Sequence, residues 1–199
     1  LAVGCASGPS AVDKTADPRS LTKKGGPVGI ALLGRSVTEG WFQHWGAKVG
    51  GGHKHGRYRL LHRPFQHYEP APSLWASQAD AVLQRYGKHL HAVQYKLCFV
   101  DFNADTSLDV FRDVAEAMYK VVVKKHGKVL IIGNALPSMP RESTLRGGAI
   151  NHVVRLNNEY NNWLQLFAKA HPRVVIFDQN KVLIDDKGFL RADYAQSPT

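Results

Sequence analysis

Short apolar runs alternate along this chain with longer segments of helical periodicity, and this alternation constrains the fold more than any other feature. Apolar runs that stop at a glycine or a polar residue are typical of buried parallel strands. Strands are predicted at 28–33, 58–61 (an edge strand), 92–100, 128–133 and 173–178. Helices are predicted at about 37–48, 73–86 with Ser73 as N-cap, 106–127 with a capping box at its start, and 149–170.

Strands that alternate with helices require right-handed crossovers onto a parallel sheet with helices on both faces. In such sheets, ligands bind beyond the carboxyl ends of the strands, near the point where the strand order reverses. Polar residues follow the predicted strands at those ends, namely Ser36, Asp101, Asn103 and Asn134. Asn134 is expected either to hydrogen-bond the loop that it begins or to line the pocket. The sequence therefore predicts an α/β fold with its site at this edge.

Ser36 stands directly after the first predicted strand, where a helix is expected to begin. A serine at such a turn presents its hydroxyl near helix amides that can stabilise an oxyanion. The sequence is not the Gly-x-Ser-x-Gly elbow, because Thr38 occupies the position of the second glycine. The alternative, that Ser36 only caps the helix, stays open on this feature alone.

Five segments resemble conserved blocks of the SGNH (GDSL-type) hydrolases. Residues 33–42, Leu-Gly-Arg-Ser-Val-Thr-Glu-Gly-Trp-Phe, resemble the first block, and residues 96–105 resemble the third. Residues 133–137, 157–164 and 190–198 resemble later parts of a less-studied branch. The similarity spans about residues 28–199. It implies a three-layer αβα architecture with a mostly parallel central sheet, the flavodoxin-like fold of that family.

The resemblance also implies roles for individual residues. Ser36 would be the nucleophile, with Gly56 as the oxyanion glycine and Asn103 as the oxyanion asparagine, for which Asp101 is a rival. Each has a structural alternative: a turn for Gly56, a helix entry or turn for Asn103, and a partner for Lys96 in the case of Asp101. No cofactor is implied. The family's Asp-x-x-His block is absent from the sequence, so we expect either that it follows Thr199 or that this member lacks the usual base.

The first ten residues, Leu-Ala-Val-Gly-Cys-Ala-Ser-Gly-Pro-Ser, resemble a bacterial lipoprotein processing site. In that family the cysteine becomes acylated, so Cys5 is the expected lipid attachment site. Residues 1–26 would then be a disordered tether and residues 27–199 the SGNH-like domain. This predicts an extracytoplasmic protein, periplasmic or at the cell surface, that is anchored to the membrane.

The chain of 199 residues carries 26 lysines and arginines against 16 acidic residues, a net charge of +10. This charge favours anionic partners, although the basic residues are scattered along the sequence and no nucleic-acid-binding motif is present. Two cysteines offer at most one disulfide, and Cys98 lies in an apolar run, so no structural disulfide is predicted. His53, Lys54 and His55 are expected in a glycine-rich loop, and they have no Cys or carboxylate at a zinc-site spacing, so no metal site is predicted.

Three functions are compatible with these observations. The first is a serine esterase that acts on ester groups, such as acetyl, of a carbohydrate or cell-envelope substrate, which could be anionic. The second is a catalytically silent SGNH-like domain that binds an anionic glycan. The third is a basic surface protein that docks to an anionic polymer or membrane without a pocket.

Overall fold

The computed structural model describes residues 26–34, 36–65, 71–97, 101–102, 105–136, 150–187, 189 and 191. For Ser36, Val37 and Ile150 it describes the main chain only. The strands are β1 (Val28–Gly34), β2 (Gly52–His55), β3 (Tyr58–Pro64), β4 (Ala92–Lys96), β5 (Val129–Gly133) and β6 (Val174–Phe177). The α-helices are α1 (Ser36–His44), α2 (Pro72–Tyr86), α3 (Leu108–Tyr119), α4 (Ile150–Ala170) and α5 (Asn180–Leu183).

The six strands form one sheet in the order β2-β3-β1-β4-β5-β6. Every neighbouring pair is parallel except β2 with β3. With β2 set aside, the second parallel strand lies on one side of the first, and the third, fourth and fifth follow on the other. This is the flavodoxin-like strand order. It confirms the predicted α/β class with a mostly parallel sheet.

The two faces of the sheet are covered by different helices, which gives the three predicted layers. On one face, Leu33, Tyr95 and Ile132 of adjacent strands belong to a buried cluster with residues of α2, α3 and α4. On the other face, α1 packs on β3 through Phe42, whose ring is stacked 5.0 Å from that of His62. Burying a large apolar side chain contributes roughly 1.5–3 kcal/mol, so the first face holds most of the stabilising core.

The apolar faces predicted for α3 and α4 are confirmed by burial. The buried residues are Leu108, Phe111, Val114, Ala115, Met118, Val122, Val153, Leu156, Tyr160, Leu164 and Phe167. Beyond Tyr119, the chain continues as a π-helical segment, Lys120–Lys125. Gly127 then ends it in a left-handed conformation with φ of 64°, which glycine adopts without a steric penalty.

The region of β2 differs from the sequence prediction in two respects. The segment from His53 to His55 is a strand and not a loop, and its partner β3 lies inside the sheet and not at its edge. The cause is a tight turn at Gly56, which has φ of 55° and lets β2 fold back on β3. Pairing between backbones overrides the weak strand propensity of a glycine-flanked His-Lys-His run.

Two predicted helix starts are also corrected. Helix α2 begins at Pro72 with Ala71 as N-cap, so Ser73 is not the N-cap. Proline suits this first position because its missing N–H would have no partner there. Helix α3 has Ser107 as N-cap without a side-chain capping bond. The hydroxyl of Thr106 donates instead to the carbonyl oxygen of Asp101 at 3.0 Å, so the predicted capping box is wrong.

The domain boundary and the lipid site stay predictions. Cys5 and nearly all of the proposed tether lie outside the described residues, which begin at Gly26, and Cys98 lies outside them as well. Within the described part of the chain, no helix has the length and apolar character that crossing a bilayer requires.

Candidate active site

Ser36 lies at the carboxyl edge of the sheet, at the point where the strand order reverses. Strand β1 ends at Gly34, and helix α1 begins two residues later at Ser36. The next parallel strand, β3, lies on one side of β1, and β4 lies on the other. Crossovers that diverge in this way leave a crevice above the sheet, where open α/β folds bind their ligands. The first turn of α1 places main-chain amides at that crevice.

The turn from β1 into α1 is held by close packing. Thr38 is almost fully buried, and a Cβ atom added to Gly34 would collide with its side chain. The amide of Phe65, just past the end of β3, donates to the carbonyl oxygen of Gly34 at 3.2 Å. Only a glycine therefore fits two residues before Ser36, and the start of α1 is fixed relative to two strands.

Asp101 lies beyond the end of β4, the strand next to β1, so it shares the carboxyl edge with Ser36. Its side chain is partly buried, and its negative charge contributes to a raised pKa of Tyr160 in α4. The main cause of that raised pKa is the complete burial of Tyr160. The structure thus brings Ser36 and Asp101 to the ends of adjacent strands. Asn103 lies outside the described residues, so its role as an oxyanion donor stays a prediction.

Gly56 lies at the other edge of the sheet, and this corrects its predicted role. It forms the turn before β3, whose first residue, Tyr58, pairs with Val28 at the start of β1. Ser36 follows the end of β1, about 20 Å away for a strand of this length. The amide of Gly56 therefore cannot contact an oxyanion at Ser36. The glycine turns the β2–β3 hairpin, which is the structural alternative for this residue.

Asn134 follows β5 and ties the end of that strand to the end of β6. Its side-chain amide donates to Oδ1 of Asp178 at 2.6 Å, and its oxygen accepts from the amide of Gln179 at 3.0 Å. The residue is buried. Of the two possibilities left open by the sequence, the geometry supports a loop-holding role.

Two asparagines of α4 fix the chain that leaves β5, and sequence reasoning gave them no role. Oδ1 of Asn161 accepts from the amide of Ala135 at 2.8 Å, and its Nδ2 donates to the carbonyl oxygen of the same residue. Asn157, one helical turn earlier, donates to the carbonyl oxygen of Leu136 at 3.2 Å. The signal in the sequence was the spacing of four residues, which places both asparagines on one face of a helix.

His62 is fully buried beneath α1, and its position raises the question of whether it could act as a base. It lies on β3 opposite Leu32 of β1. Its Nδ1 accepts a hydrogen bond from the amide of Gly50 at 3.1 Å, so in the neutral ring the proton is on Nε2. Burial lowers the pKa of His62, which keeps the ring neutral. With one nitrogen occupied and the other protonated, His62 cannot accept a proton from a serine.

The histidines of β2 pack against an aromatic ring. Trp45 stacks on His53 with ring centroids 5.1 Å apart, and His55 lies 6.3 Å from the same tryptophan. Among the residues that the structure describes, no group of three or more metal-ligating side chains could hold a metal ion.

The sequence and the fold of this chain were compared with those of known proteins. No family model and no curated protein matches the sequence. Several solved structures match the fold. A protein assigned as an acylhydrolase from Bacteroides fragilis is 12% identical, with 95% of this chain and 88% of that one covered and a TM-score of 0.57. A lipolytic protein of the G-D-S-L family from Desulfitobacterium hafniense is 16% identical, with 86% and 91% covered and a TM-score of 0.54.

A third match is a GDSL-like lipase from Bacteroides thetaiotaomicron. It is 14% identical, with 93% of this chain and 87% of that one covered and a TM-score of 0.53. The chain has the fold of the SGNH/GDSL-type hydrolases. This confirms the architecture implied by the sequence resemblance. Because one fold hosts many functions, the activity has to be argued from the site.

Proposed function

We propose that this chain is an SGNH-type serine esterase that acts on ester groups, such as acetyl, of a carbohydrate or cell-envelope substrate. The observation that carries the proposal is the position of Ser36, at the first residue of α1 and at the strand-order reversal of a GDSL-type fold. In open α/β folds, ligands bind at such a strand-order reversal, and the free main-chain amides of a first helical turn can stabilise negative charge there.

In this mechanism, the Ser36 oxygen attacks the ester carbonyl carbon. The main-chain amide of Ser36 and the side chain of Asn103 stabilise the negative charge that develops on the carbonyl oxygen. The bond to the alcohol oxygen then breaks, the alcohol leaves with a proton, and an acyl-serine remains. Water hydrolyses the acyl-serine and releases the carboxylic acid. Because Gly56 lies at the other edge of the sheet, the oxyanion donors in this mechanism are the Ser36 amide and the Asn103 side chain.

The general base decides between this esterase and its alternative. In the 199-residue sequence, no aspartate is followed by a histidine three residues later, and His62 is committed elsewhere. A serine without a base is a weak nucleophile. If no Asp-x-x-His block follows Thr199, these two observations favour the second candidate, a silent SGNH-like domain that binds a glycan in the same crevice.

Described charges at the carboxyl edge are of both signs. Carboxylates stand in the first turn of α1 (Glu39), after β4 (Asp101 and Asp105) and after β6 (Asp178). Lys96, at the end of β4, is buried and donates to the carbonyl oxygen of Leu97. Lys181 lies 3.7 Å from Asp178, and Arg63 lies near the end of β3, so both neutral and acidic sugars are compatible with this edge.

We also propose that the protein is held outside the cytoplasm by a lipid on Cys5. The small residues before Cys5 and the linker-like composition after it support this assignment. Mass spectrometry of the protein from its native membrane would test it, since acylation adds a defined mass to the peptide that begins at residue 5. An unmodified cysteine in that peptide would contradict the anchor.

A fluorophosphonate probe and an aryl acetate test the esterase directly. An active enzyme should react covalently with the probe at Ser36 and hydrolyse the acetate. Ser36→Ala should abolish labelling and lower turnover on the order of 10⁶-fold, because it removes the nucleophile that works with the base. Full activity of Ser36→Ala would refute the mechanism. A wild-type protein that stays unlabelled and inactive but binds a neutral or acidic glycan would support the silent domain.

A further inference from the structure

The helix ends and loops that precede the parallel strands form a strongly basic edge on the side of the sheet opposite Ser36. Because parallel strands begin at one edge, these loops lie next to one another in the order of the strands. We call this set the amino-edge cluster. Its members are Arg57, Lys88, His89, His91, Lys124, Lys125, His126, Lys128, Lys169, His171 and Arg173. The fold therefore gathers basic residues that are scattered along the sequence.

Acidic residues in the described part of the chain cancel only part of this charge. Two described carboxylates contact the cluster, and each already has basic partners within it. Asp80 lies 2.8 Å from Nζ of Lys125 and 2.6 Å from Nε2 of His126. Glu116 lies 3.7 Å from Nε2 of His171. Three lysines that precede three different strands, Lys88, Lys124 and Lys169, are exposed to solvent.

The chain enters the domain at this same edge. Val28 is the first residue of β1, and its amide donates to the carbonyl oxygen of Arg57 at 2.9 Å. Everything that precedes Val28 in sequence, including Lys23, Lys24 and Cys5, therefore joins the domain beside the amino-edge cluster. The crevice at Ser36 lies at the far end of β1, about 20 Å away.

We propose that the amino-edge cluster is a docking surface for an anionic lipid bilayer, which turns the Ser36 crevice away from the membrane. Basic residues at a protein surface are attracted to anionic headgroups within about 8–10 Å at moderate ionic strength. The attraction depends on the folded edge and not on acylation of Cys5 or on esterase activity. A bilayer is favoured over nucleic acid because the N-terminal segment is connected to the domain at this edge, an argument that rests on the lipid anchor proposed at Cys5.

Sedimentation with vesicles tests this docking surface. The full chain carrying Cys5→Ser, which cannot be acylated there, is mixed with phosphatidylcholine vesicles with or without phosphatidylglycerol. We expect binding only when phosphatidylglycerol is present, and loss of binding at high salt. The triple variant Lys88→Gln, Lys124→Gln, Lys169→Gln should bind about a hundredfold more weakly, because each basic residue contributes roughly fivefold.

A matched triple variant controls for net charge. Lys48, Arg155 and Lys187 are equally exposed and lie away from the amino edge, so changing all three to Gln should leave vesicle binding almost unchanged. Thermal melting of both triple variants checks folding. The proposal is overturned if the two triple variants bind the vesicles equally well, or if the binding does not depend on phosphatidylglycerol. So does a protein that binds DNA or an acidic polysaccharide through Lys88, Lys124 and Lys169 but does not bind the vesicles.

Discussion

At the carboxyl edge of the sheet, strands are followed by helix starts, two of which carry a carboxylate in the first turn, whereas at the amino edge helices end and basic residues collect. Part of this difference follows from helix electrostatics, which favour acids in the first turn and bases in the last. Glu39 and Asp109 fit the first preference, and Arg85 and Lys169 fit the second. In a parallel α/β fold all the helices that link the strands run the same way, so their end charges add up.

Helix electrostatics do not account for the whole amino-edge cluster. Lys128 and Arg173 lie in loops beyond the helix ends, and Lys88 is in a 3₁₀ turn after α2. Arg173 even has a positive φ of 63°, a conformation that is uncommon for a side-chain-bearing residue. The difference between the edges therefore suggests two tasks, chemistry at one edge and adhesion at the other. Variants at each edge can show whether the two edges act independently.

The largest expected contrast is between Asn103→Ala and Gly56→Ala. If the protein is an active esterase, Asn103→Ala should lower turnover about 10²–10³-fold by removing one oxyanion donor. Gly56→Ala, at the amino edge, should leave turnover unchanged and lower the free energy of unfolding by about 1 kcal/mol, because its φ of 55° disfavours alanine. Ester hydrolysis and chemical denaturation measure the two effects. A comparable loss of turnover in both variants would contradict the prediction that the amino edge has no part in catalysis.

The next contrast compares two neighbouring asparagines on α4. Asn161→Ala should lower the free energy of unfolding by about 1–3 kcal/mol, because the main chain of Ala135 loses both of its side-chain partners. Asn162→Ala, at an exposed position, should change it by less than about 0.5 kcal/mol. Vesicle binding should be the same for both. Equal stability of the two variants would show that Asn161 does not support the carboxyl edge.

A smaller, pH-dependent effect is expected at His62. Burial lowers the pKa of His62 below the ordinary value of 6.5 in the folded protein. Just below pH 6.5, the histidine is therefore protonated to a greater extent in the unfolded chain than in the folded protein. The free energy of unfolding should therefore fall as the pH drops below 6.5 and level off below the folded pKa. Denaturation curves across this range should show a weaker slope for His62→Gln. The exposed control His44→Gln should keep the wild-type slope, and a wild-type slope in both would contradict the prediction.

The smallest effect is expected at Asp80, inside the amino-edge cluster. Hydrogen bonds from His126 and Lys125 lower the pKa of Asp80 below 3.8. The charged carboxylate thus contributes stability above pH 3.8 that is lost as the pH falls through the folded pKa. Asp80→Asn should remove this contribution, which is under about 1 kcal/mol for a partly exposed pair. It should also strengthen binding to phosphatidylglycerol vesicles by up to about fivefold, and weaker binding would contradict the docking surface.

The fold was more predictable than the site, for a physical reason. Apolar periodicity in 92–96 or 150–170 reports burial locally, so strands, helices and their parallel arrangement could be inferred from each segment alone. The role of Gly56 depended on which end of β3 it occupies, and hence on pairing between β1 and β3, which no local pattern encodes. The amino-edge cluster could not be predicted from the sequence for the same reason. Its lysines are separated by long stretches of sequence, and only the pairing of the strands brings them to one edge.

The contact between Gly34 and Thr38 restricts what evolution can do at the turn before Ser36. Even the Cβ of Thr38 lies too near for a side chain at position 34, so no replacement at 38 short of glycine would make room. Gly34 should therefore be conserved to the same extent in relatives with and without catalytic activity. Its presence in a homologue therefore indicates that the turn keeps its shape, and only the residue at the position of Ser36 bears on whether the proposed catalysis is kept.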